Sequence, residues 1–319
     1  METSIGQNPA ASSFKKVTLW QRVKQDRALL LMLALPLAFY VIFHYVPMYG
    51  VLIAFKNYRF RTGILRSPWT ENHGFYHFIR FFTSTVFWRL VRNTVLLSFL
   101  SMVLGFPAPI ILAIILNECR LPRFKKIVQT ISYMPHFVSV VIIVGMMTLL
   151  LSPRAGAINL FLQRLGMPPV YFMAEASWFR PIYILSGLWQ GAGFGAIIYL
   201  AALASINQEL YEAAEVDGAS RLRRIWHVSL PGILPVAVIL MILSVGNILQ
   251  VDFTKVLLMQ NGLNIRVSDV ISTYVYRVGL LGGEFSFAAA IGLFNNLVGL
   301  VLLVAVNKIS SLITEFSLW

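Results

Sequence analysis

The 319-residue sequence contains few charged residues and almost no cysteine. Only 12% of its residues are charged, whereas 58% are hydrophobic, and the mean hydropathy is +0.74. Soluble globular domains do not have this balance, so the composition predicts a polytopic membrane protein. The single cysteine, Cys119, excludes an internal disulfide, and we interpret it as a small buried hydrophobe.

The sequence also lacks the groups that many enzymes and ion-coupled carriers use. It has no Walker A pattern, and the glycines of residues 191–195 lie in an apolar run, where helix packing explains them better than nucleotide binding. Acidic residues are missing from the middle of every apolar segment, which disfavours a proton- or sodium-coupled carrier. His73 and His77 have no cysteine or carboxylate in register, so we expect no metal site. No acidic or histidine cluster supports a membrane enzyme.

The chain is strongly basic, with a formal net charge of +13. No nucleic-acid-binding motif accompanies this charge, so we expect membrane lipid and no nucleic acid as a partner. Basic residues are concentrated in one predicted external segment, which is unusual because positive charge normally favours the cytoplasmic side. An anionic solute or an acidic surface on a partner would explain them, and the alternative is snorkelling to lipid headgroups. They are Lys56, Arg59, Arg61, Arg66, Arg80, Arg89 and Arg92, against one acid, Glu71.

Six apolar segments are each long enough to cross a bilayer as a helix of roughly 20 residues. The fold class is therefore all-α, with both termini on the same side, and the basic cluster before the first segment favours the cytoplasm. The predicted spans are residues 28–55, 93–117, 127–151, 181–204, 232–258 and 285–306. The corresponding domains are a cytoplasmic N-terminal segment (1–27), the first transmembrane helix with an external loop (28–92), the core transmembrane domain (93–308) and a short C-terminal tail (309–319).

A polar island, Ser205–Pro231, interrupts the apolar sequence between the fourth and fifth predicted spans. Asn207 is a suitable N-cap, and acidic residues follow it near the positive end of the helix that it would begin. Gly218 is suited to a left-handed C-cap. These signals predict one short helix from Gln208 to Asp217, followed by a glycine hinge.

A second short helix is predicted to begin after Ser220 and to end near Leu230, because the residue before Pro231 disfavours helical geometry. Leu222, Ile225 and Trp226 would share its apolar face. So short a helix is marginal alone in water and needs a surface to lie against. The residues leave two choices open: an interfacial helix on lipid headgroups, or a helix docked into a partner protein.

The island resembles the EAA loop of the permease subunits of binding-protein-dependent ABC importers. The resemblance rests on Glu212-Ala213-Ala214, Gly218 and Val228–Pro231 at the family's spacing, with valine where the family usually has isoleucine at 228. Four further stretches resemble the oligosaccharide branch that includes alginate and polygalacturonan importers. They are Tyr45–Gly50, Phe106–Pro109, Thr130–Phe137 and Ile197–Leu203.

This resemblance implies the type I ABC importer permease fold in a bacterial cytoplasmic membrane, with the island inside the cell. In the family, the second loop helix is the coupling helix, which lies in a groove of the ATPase subunit. Glu212, Asp217 and Gly218 would hold its geometry, and Leu222, Ile225 and Trp226 would fill the groove. The implied coupling residues are Glu212, Ala213, Ala214, Asp217, Gly218, Ala219, Leu222, Ile225, Trp226, Leu230 and Pro231.

The resemblance also implies the assembly. It consists of two permeases, usually different sister chains, two ATPase subunits that bind ATP and Mg²⁺, and an external solute-binding protein that delivers an oligosaccharide. The permease itself would have no catalytic residue and would bind no cofactor. A secondary transporter or channel for a sugar, working without an ATPase, is the alternative function.

Polar residues within the spans suggest a route for the solute. Gln190, Asn247, Gln250 and Asn295 are candidates, because amides can exchange hydrogen bonds with sugar hydroxyls. Helix packing is the alternative reading for each polar or small-residue stripe. Pro107, Pro109 and Pro135 are expected to kink spans two and three. The stripes are Ser98, Ser101 and Gly105; Ser186, Gln190 and Gly193; Asn247, Gln250 and Thr254; and Gly292, Asn295 and Gly299.

Overall fold

The computed structural model describes residues 26–313, which are almost entirely helical. In that part of the chain there is no β-strand beyond an isolated antiparallel bridge between Lys56 and Trp69. The chain divides into two compact units, Met1–Leu52 and Ile53–Trp319. Most of the predicted N-terminal segment and of the C-terminal tail lies outside the described residues. The predicted domain boundaries stay predictions.

Five continuous helices are long and apolar enough to cross a membrane, and a bent pair supplies a sixth if it is counted as one span. This confirms the predicted all-helical membrane architecture. The five helices are Arg27–Phe55, Phe87–Glu118, Ala176–Ala204, Arg221–Gly246 and Phe285–Leu312, called here spans one, two, four, five and six. Spans one and four end, and span six begins, at the predicted residues, whereas most other bounds extend past the predicted segments because helical backbone continues beyond the apolar core.

The third predicted span is not a straight helix. Helix Pro122–Tyr133 passes into a 3₁₀ turn, Met134–Phe137, and helix Val140–Leu150 then leaves at an angle of 101°. Pro135 lies in this turn, where its missing N–H removes a helical hydrogen bond, and Ser139 caps the new helix by accepting from Ile142 N–H. The bend expected at Pro135 is therefore much larger than a kink. In span two the α-helix is interrupted at Phe106, immediately before Pro107, but it continues as one span.

Span five differs from its prediction at both ends. Its helix does not begin after Pro231: the short helix Arg221–Arg224 continues through a π-helical turn, Ile225–Ser229, into Leu230–Gly246. The prediction that the second loop helix ends near Leu230 is wrong, because proline is tolerated in the first turn of an α-helix, where its N–H is not needed. The span then ends at Gly246, well before the predicted residue 258.

The spans pack against one another through three clusters of buried side chains, one of which joins Leu90 of span two to Ile291 of span six. Another joins spans two, four and five through residues such as Ala113, Tyr199 and Ile233. The third gathers Leu97 and Tyr183 with residues of the later helices. Gly193 marks a close helix crossing, because a Cβ there would lie 1.9 Å from the carbonyl oxygen of Ser132. This contact agrees with the packing interpretation of the glycine at that position.

Short helices connect the spans at the end of the molecule opposite the polar island, called here the far end. Their polar side chains are buried and bonded within the chain. Asn159 is fully buried and bonds four backbone groups of residues 151–170, and Asn264 bonds the carbonyl oxygens of Met173 and Met259. These short helices are Gly63–Arg66, Tyr76–Phe82, Ala157–Arg164, Phe253–Met259, Ile265–Ser268 and Ile271–Val275.

Candidate functional site: the polar loop and the path between the spans

The first loop helix, Gln208–Val216, has the caps that its sequence predicts. Asn207 Oδ1 accepts a hydrogen bond of 3.0 Å from Glu209 N–H. At the other end Gly218 has φ +73°, so its backbone is in the left-handed region that glycine favours. The N–H groups of Gly218 and Ala219 donate to the carbonyl oxygens of Glu215 and Ala214, which is the complete Schellman arrangement. The hinge is therefore a defined turn.

Two side-chain contacts fix the second loop helix against the first. Arg224 Nη1 lies 3.1 Å from Glu215 Oε2 across the hinge, and the Tyr211 hydroxyl lies 2.9 Å from Oγ of the buried Ser229. Ser220 accepts from Arg223 N–H at 3.5 Å, as expected for the cap. The ion-pairing acid is Glu215, which the sequence reading did not single out. Glu215 and Arg224 are nine residues apart and lie on opposite sides of the hinge. The three- or four-residue spacing of ion pairs within one helix therefore does not predict this pair.

The apolar face of the loop is open to its surroundings. No residue of Gln208–Val216 or Arg221–Arg224 is buried. Leu222 is 69% exposed and Trp226 67%, and Val216 beside the hinge is also exposed, although the sequence reading did not include it. Large apolar side chains on a polar segment at this level of exposure mark an interaction surface. Trp226 also borders an apolar groove of about 380 Å³ with Phe106 and the first turns of span five.

Glu212 and Asp217 are exposed, and their side chains form no hydrogen bond or ion pair with other described residues. Glu212 instead borders a polar cavity of about 410 Å³ between the loop and the end of span two. Cys119 borders the same cavity and is only partly buried. The interpretation of Cys119 as a buried hydrophobe is therefore wrong, because the helix ends at Glu118 and leaves the thiol beside polar groups. The remaining implied coupling residues lie within residues 213–231, from the first loop helix to the start of the α-helix Leu230–Gly246.

Three neighbouring cavities run between the spans, and they share residues. The largest, about 560 Å³, is bordered by Ser101, Gly105 and Asn247. Ser101 and Gly105 also border a cavity of about 330 Å³ toward the far end, and Asn247 also borders one of about 460 Å³ together with Gln250 and Asn295. The structure thus brings together three of the four candidate path residues. Asn295 Oδ1 is buried there with no hydrogen-bonding partner in the described chain.

Gln190 does not join these three residues. Its Nε2 donates to the carbonyl oxygen of Val138 at 3.1 Å, so it holds the bend between the two helices of the broken third span. The expected stripe of Asn247, Gln250 and Thr254 is also wrong, because the helix ends before Asn247, whose Nδ2 donates back to Leu243 O. Thr254 lies on a separate short helix, Phe253–Met259.

The basic residues of the predicted external segment have different surroundings. Lys56 is buried, and its ammonium donates to the carbonyl oxygens of Ile64 and Leu65. Arg80 forms a two-pronged ion pair with Glu284. Arg59, Arg61 and Arg66 are exposed. The cluster is therefore not a single surface.

Burial affects the ionisation of two further groups at the far end. The side chain of His77 is buried, and burial lowers the pKa of His77, against a smaller opposing effect of the Lys56 backbone. Burial likewise lowers the pKa of Lys255 to about 8, against the opposing charge of Asp252. Within residues 26–313, no group of three or more histidine, cysteine or acidic residues could hold a metal ion.

Comparison with known proteins agrees with this architecture. The family described as "Binding-protein-dependent transport system inner membrane component" matches residues 28–312. The "Polygalacturonan/rhamnogalacturonan transport system permease protein YteP" of Bacillus subtilis (strain 168) is 42% identical over 97% of this chain and 97% of its own length. Protein LplB of the same organism is 41% identical over 95% and 94%, respectively.

Two solved structures are similar in fold and sequence. A crystal structure of a bacterial ABC transporter involved in import of the acidic polysaccharide alginate has a TM-score of 0.86 and 43% identity, covering 93% of this chain and 99% of that one. A second contains the alginate transporter in complex with a periplasmic protein bound to alginate pentasaccharide, with a TM-score of 0.86 and 42% identity over 94% and 99%. By these matches the chain belongs to the family of binding-protein-dependent transport system inner membrane components, and it is the permease subunit of an ABC importer.

Proposed function

We propose that this permease imports an acidic oligosaccharide, of the alginate or polygalacturonate type, that an external solute-binding protein delivers. Its relatives at 42–43% identity are a permease for polygalacturonan and rhamnogalacturonan and a chain of an alginate importer. The importer would contain two ATPase subunits, which bind ATP and Mg²⁺, and a second permease, which we expect to be a different sister chain. ATP hydrolysis would take place in those ATPase subunits.

The exposed apolar face of the polar loop is the observation that supports an ATP-driven importer, because it offers a contact surface for the ATPase subunit. Leu222 leaves most of its surface uncovered on a helix whose backbone is fixed by caps, an ion pair and the Tyr211–Ser229 hydrogen bond. A surface that is rigid and apolar before its partner arrives loses little conformational entropy on binding. We expect Leu222 and Ile225 to enter a groove of the ATPase subunit, with Trp226 at the edge of the contact beside the apolar groove of span five.

Movement at this contact would be transmitted to the solute path by span five. The second loop helix and span five form one continuous helix, Arg221–Gly246, and Asn247 at its end borders two of the three cavities. When ATP draws the ATPase subunits together, the loop and Asn247 would therefore move together. The amides of Asn247, Gln250 and Asn295 would exchange hydrogen bonds with sugar hydroxyls as the path opens to either side in turn.

The proposed orientation follows from the same contact. An ATPase inside a bacterium can reach only the cytoplasmic side, so the loop and both termini would lie in the cytoplasm and the far end outside. The chain would reside in the cytoplasmic (inner) membrane. A cysteine introduced at Ser220 should then react with a membrane-impermeant thiol reagent only after the cells are opened, and one at Arg61 should react in intact spheroplasts.

The experiment that tests the function begins with the companions of the chain. The tagged permease, purified in mild detergent from its native membrane, should yield a P-loop ATPase and a second six-span protein by mass spectrometry. Reconstituted with its binding protein, the complex should take up trigalacturonate or an alginate oligomer only when ATP is supplied. Recovery as a lone chain with ATP-independent uptake would replace this proposal with a secondary transporter.

A further inference from the structure

Two arginines contact one buried carboxylate at the far end of spans two and four, and three more are linked to it along the chain or through Asn93. Asp269 is completely buried, and its two oxygens lie 2.9 and 2.8 Å from Nη2 of Arg277. Arg89 Nη2 is 3.6 Å from the same carboxylate. Arg277 alone neutralises Asp269, so the positive charge of Arg89 is already in excess.

Two more arginines, Arg92 and Arg180, lie on the neighbouring spans two and four, and neither forms an ion pair with an acid among the described residues. Arg180, in span four, donates from Nη2 to Asn93 Oδ1 at 3.1 Å, and Asn93 in turn donates to the backbone oxygens of Arg266 and Asp269. Nε of Arg180 is buried and has no hydrogen-bonding partner in the described chain. Arg92 is close enough for its charge to repel that of Arg180.

The nearby acids do not neutralise this surplus. Glu284 is paired with Arg80, and among the described residues no carboxylate forms an ion pair with Arg92, Arg180 or Arg266. Arg92 and Arg266 are exposed. A buried guanidinium N–H without an acceptor, repelled by the charge of a second guanidinium, is unfavourable in the isolated chain. An anion that binds Arg92, Arg180 and Arg266 would relieve both costs.

The position of this cluster relates it to the solute path. Arg180 is one helical turn before Tyr183 and Ile184, and Asn93 is about two turns before Ser101; all three of these later residues border the cavity toward the far end. The arginines therefore lie on the two helices that enclose the path, and not on an outlying loop. Guanidinium groups bind carboxylates through paired hydrogen bonds.

We propose that Arg92, Arg180 and Arg266 form a carboxylate-binding site at the outer end of the path, which selects uronate-containing oligosaccharides as they leave the binding protein. The site rests on the proposed function and adds to it a specific location for the recognition of acidic sugars. Asp269, Arg277 and Asn93 are positioning residues that hold the cluster together.

The test uses the complete importer in proteoliposomes with its binding protein. Trigalacturonate and its methyl-esterified, uncharged form are each supplied bound to that protein, at measured loading, and initial uptake is recorded over a range of binding-protein concentrations. The double variant Arg92→Gln/Arg266→Gln should reduce uptake of the acid about tenfold, the value of one charge-assisted hydrogen bond, and change uptake of the ester less than about twofold. The binding-protein concentration for half-maximal uptake should not change.

Two further variants separate recognition from folding. Arg180→Lys keeps the charge but loses the paired donors, so it should give an intermediate loss for the acid alone. Arg164→Gln removes an exposed arginine elsewhere at the far end and should behave like wild type. Thermal unfolding in detergent verifies that each variant folds, and Arg92→Gln/Arg266→Gln changes only exposed side chains.

Each of the other possible outcomes contradicts either the carboxylate-binding site or the proposed import of an acidic oligosaccharide. Equal losses for acid and ester, with a higher half-maximal concentration, would assign these arginines to the binding-protein surface. Unchanged uptake of both solutes by the double variant would leave the importer intact and overturn the site. Wild-type complex that transports the ester but not the acid would overturn the acidic substrate itself, and the site with it.

Discussion

The two ends of this permease handle polar and apolar groups in opposite ways. At the far end, polar side chains such as Asn159, Asn264 and Lys255 are buried and bonded to the backbone of the same chain. In the polar loop, apolar side chains such as Leu222 and Trp226 are exposed, and no residue of the two loop helices is buried. Most buried polar side chains of the far end are satisfied within the chain, whereas we propose that a partner covers the exposed face of the loop. Substitutions should therefore affect stability at one end and coupling at the other.

The largest effect is expected from Asn159→Ala at the far end. The variant leaves the N–H of Val170 and several carbonyl oxygens without their partner in a buried site, which should lower the free energy of unfolding by about 3 kcal/mol. Thermal unfolding in detergent measures this loss. Gln163→Ala, one turn later on the same helix but exposed, is the matched control and should change little.

Gly218→Pro should be the most damaging change in the loop. Proline fixes φ near −65°, whereas Gly218 has φ +73°, so the Schellman turn is lost, and the second loop helix keeps its apolar face but no longer has a fixed angle to the first loop helix. We expect the complex to stay assembled and folded, with ATP-driven uptake reduced at least about tenfold. Uptake per hydrolysed ATP, measured in proteoliposomes, is the readout, and normal uptake would contradict the hinge.

Leu222→Ala tests the coupling contact itself. Removing an exposed side chain should leave the unfolding temperature unchanged, while loss of buried contact with the ATPase should reduce recovery of that subunit about tenfold. Pull-down with quantitative mass spectrometry measures it. Leu210→Ala on the first loop helix is also an exposed leucine truncation and is the control. Equal effects of the two changes would show that the contact is not centred on Leu222.

The solute path and the bend at Val138 are distinguished by a pair of amide substitutions. Asn247→Leu should raise the solute concentration for half-maximal uptake about fivefold, because a hydrogen bond to the sugar is lost at a junction of two cavities. Gln190→Leu should instead lower stability by about 1 kcal/mol through the lost bond to Val138 O. If Gln190→Leu altered solute affinity while Asn247→Leu did not, the path would have to be placed elsewhere.

The smallest effect is expected from charge reversal at Arg59, Arg61 and Arg66. These exposed residues lie on the far end outside the carboxylate site, so changing them to glutamate should weaken docking of an acidic partner surface only about threefold, and only at low salt. The assay is uptake against binding-protein concentration at two ionic strengths. If uptake is the same at both ionic strengths, these arginines have no role in recognising an anionic partner.

The loop was predictable because its signals are local. The caps Asn207 and Ser220 and the left-handed Gly218 each act within one helical turn, and all three have the predicted geometry. The ends of span five were not predictable, because the sequence at each end is compatible both with a helix that continues and with one that stops. Pro231 fits the first turn of a helix as well as it marks an ending, and residues 247–251 break the helix although most of them are apolar. A hydropathy pattern does not distinguish these possibilities.

The tertiary contacts of polar residues were beyond prediction for a different reason. Gln190 and Asn247 have the same side-chain chemistry and lie in equally apolar surroundings, yet one bonds a carbonyl 52 residues away and the other a carbonyl four residues away. The Arg180–Asn93 pair spans 87 residues and Asn93–Asp269 spans 176. Such partners are set by how the helices pack, for which one sequence carries no local signal.

The π-helical turn Ile225–Ser229 also restricts how this chain can vary in length. A π turn holds one residue more than an α turn, so deleting one residue within 225–229 would restore regular α-helix and keep the helix continuous. Because the π turn accommodates the extra residue, the residues before this deletion would keep nearly their present direction around the helix axis. A one-residue deletion from the regular α-helix after Ser229 would instead rotate Leu222 by about 100° relative to Gly246. Single-residue deletions are thus expected among working variants within residues 225–229, but not within the α-helix that follows.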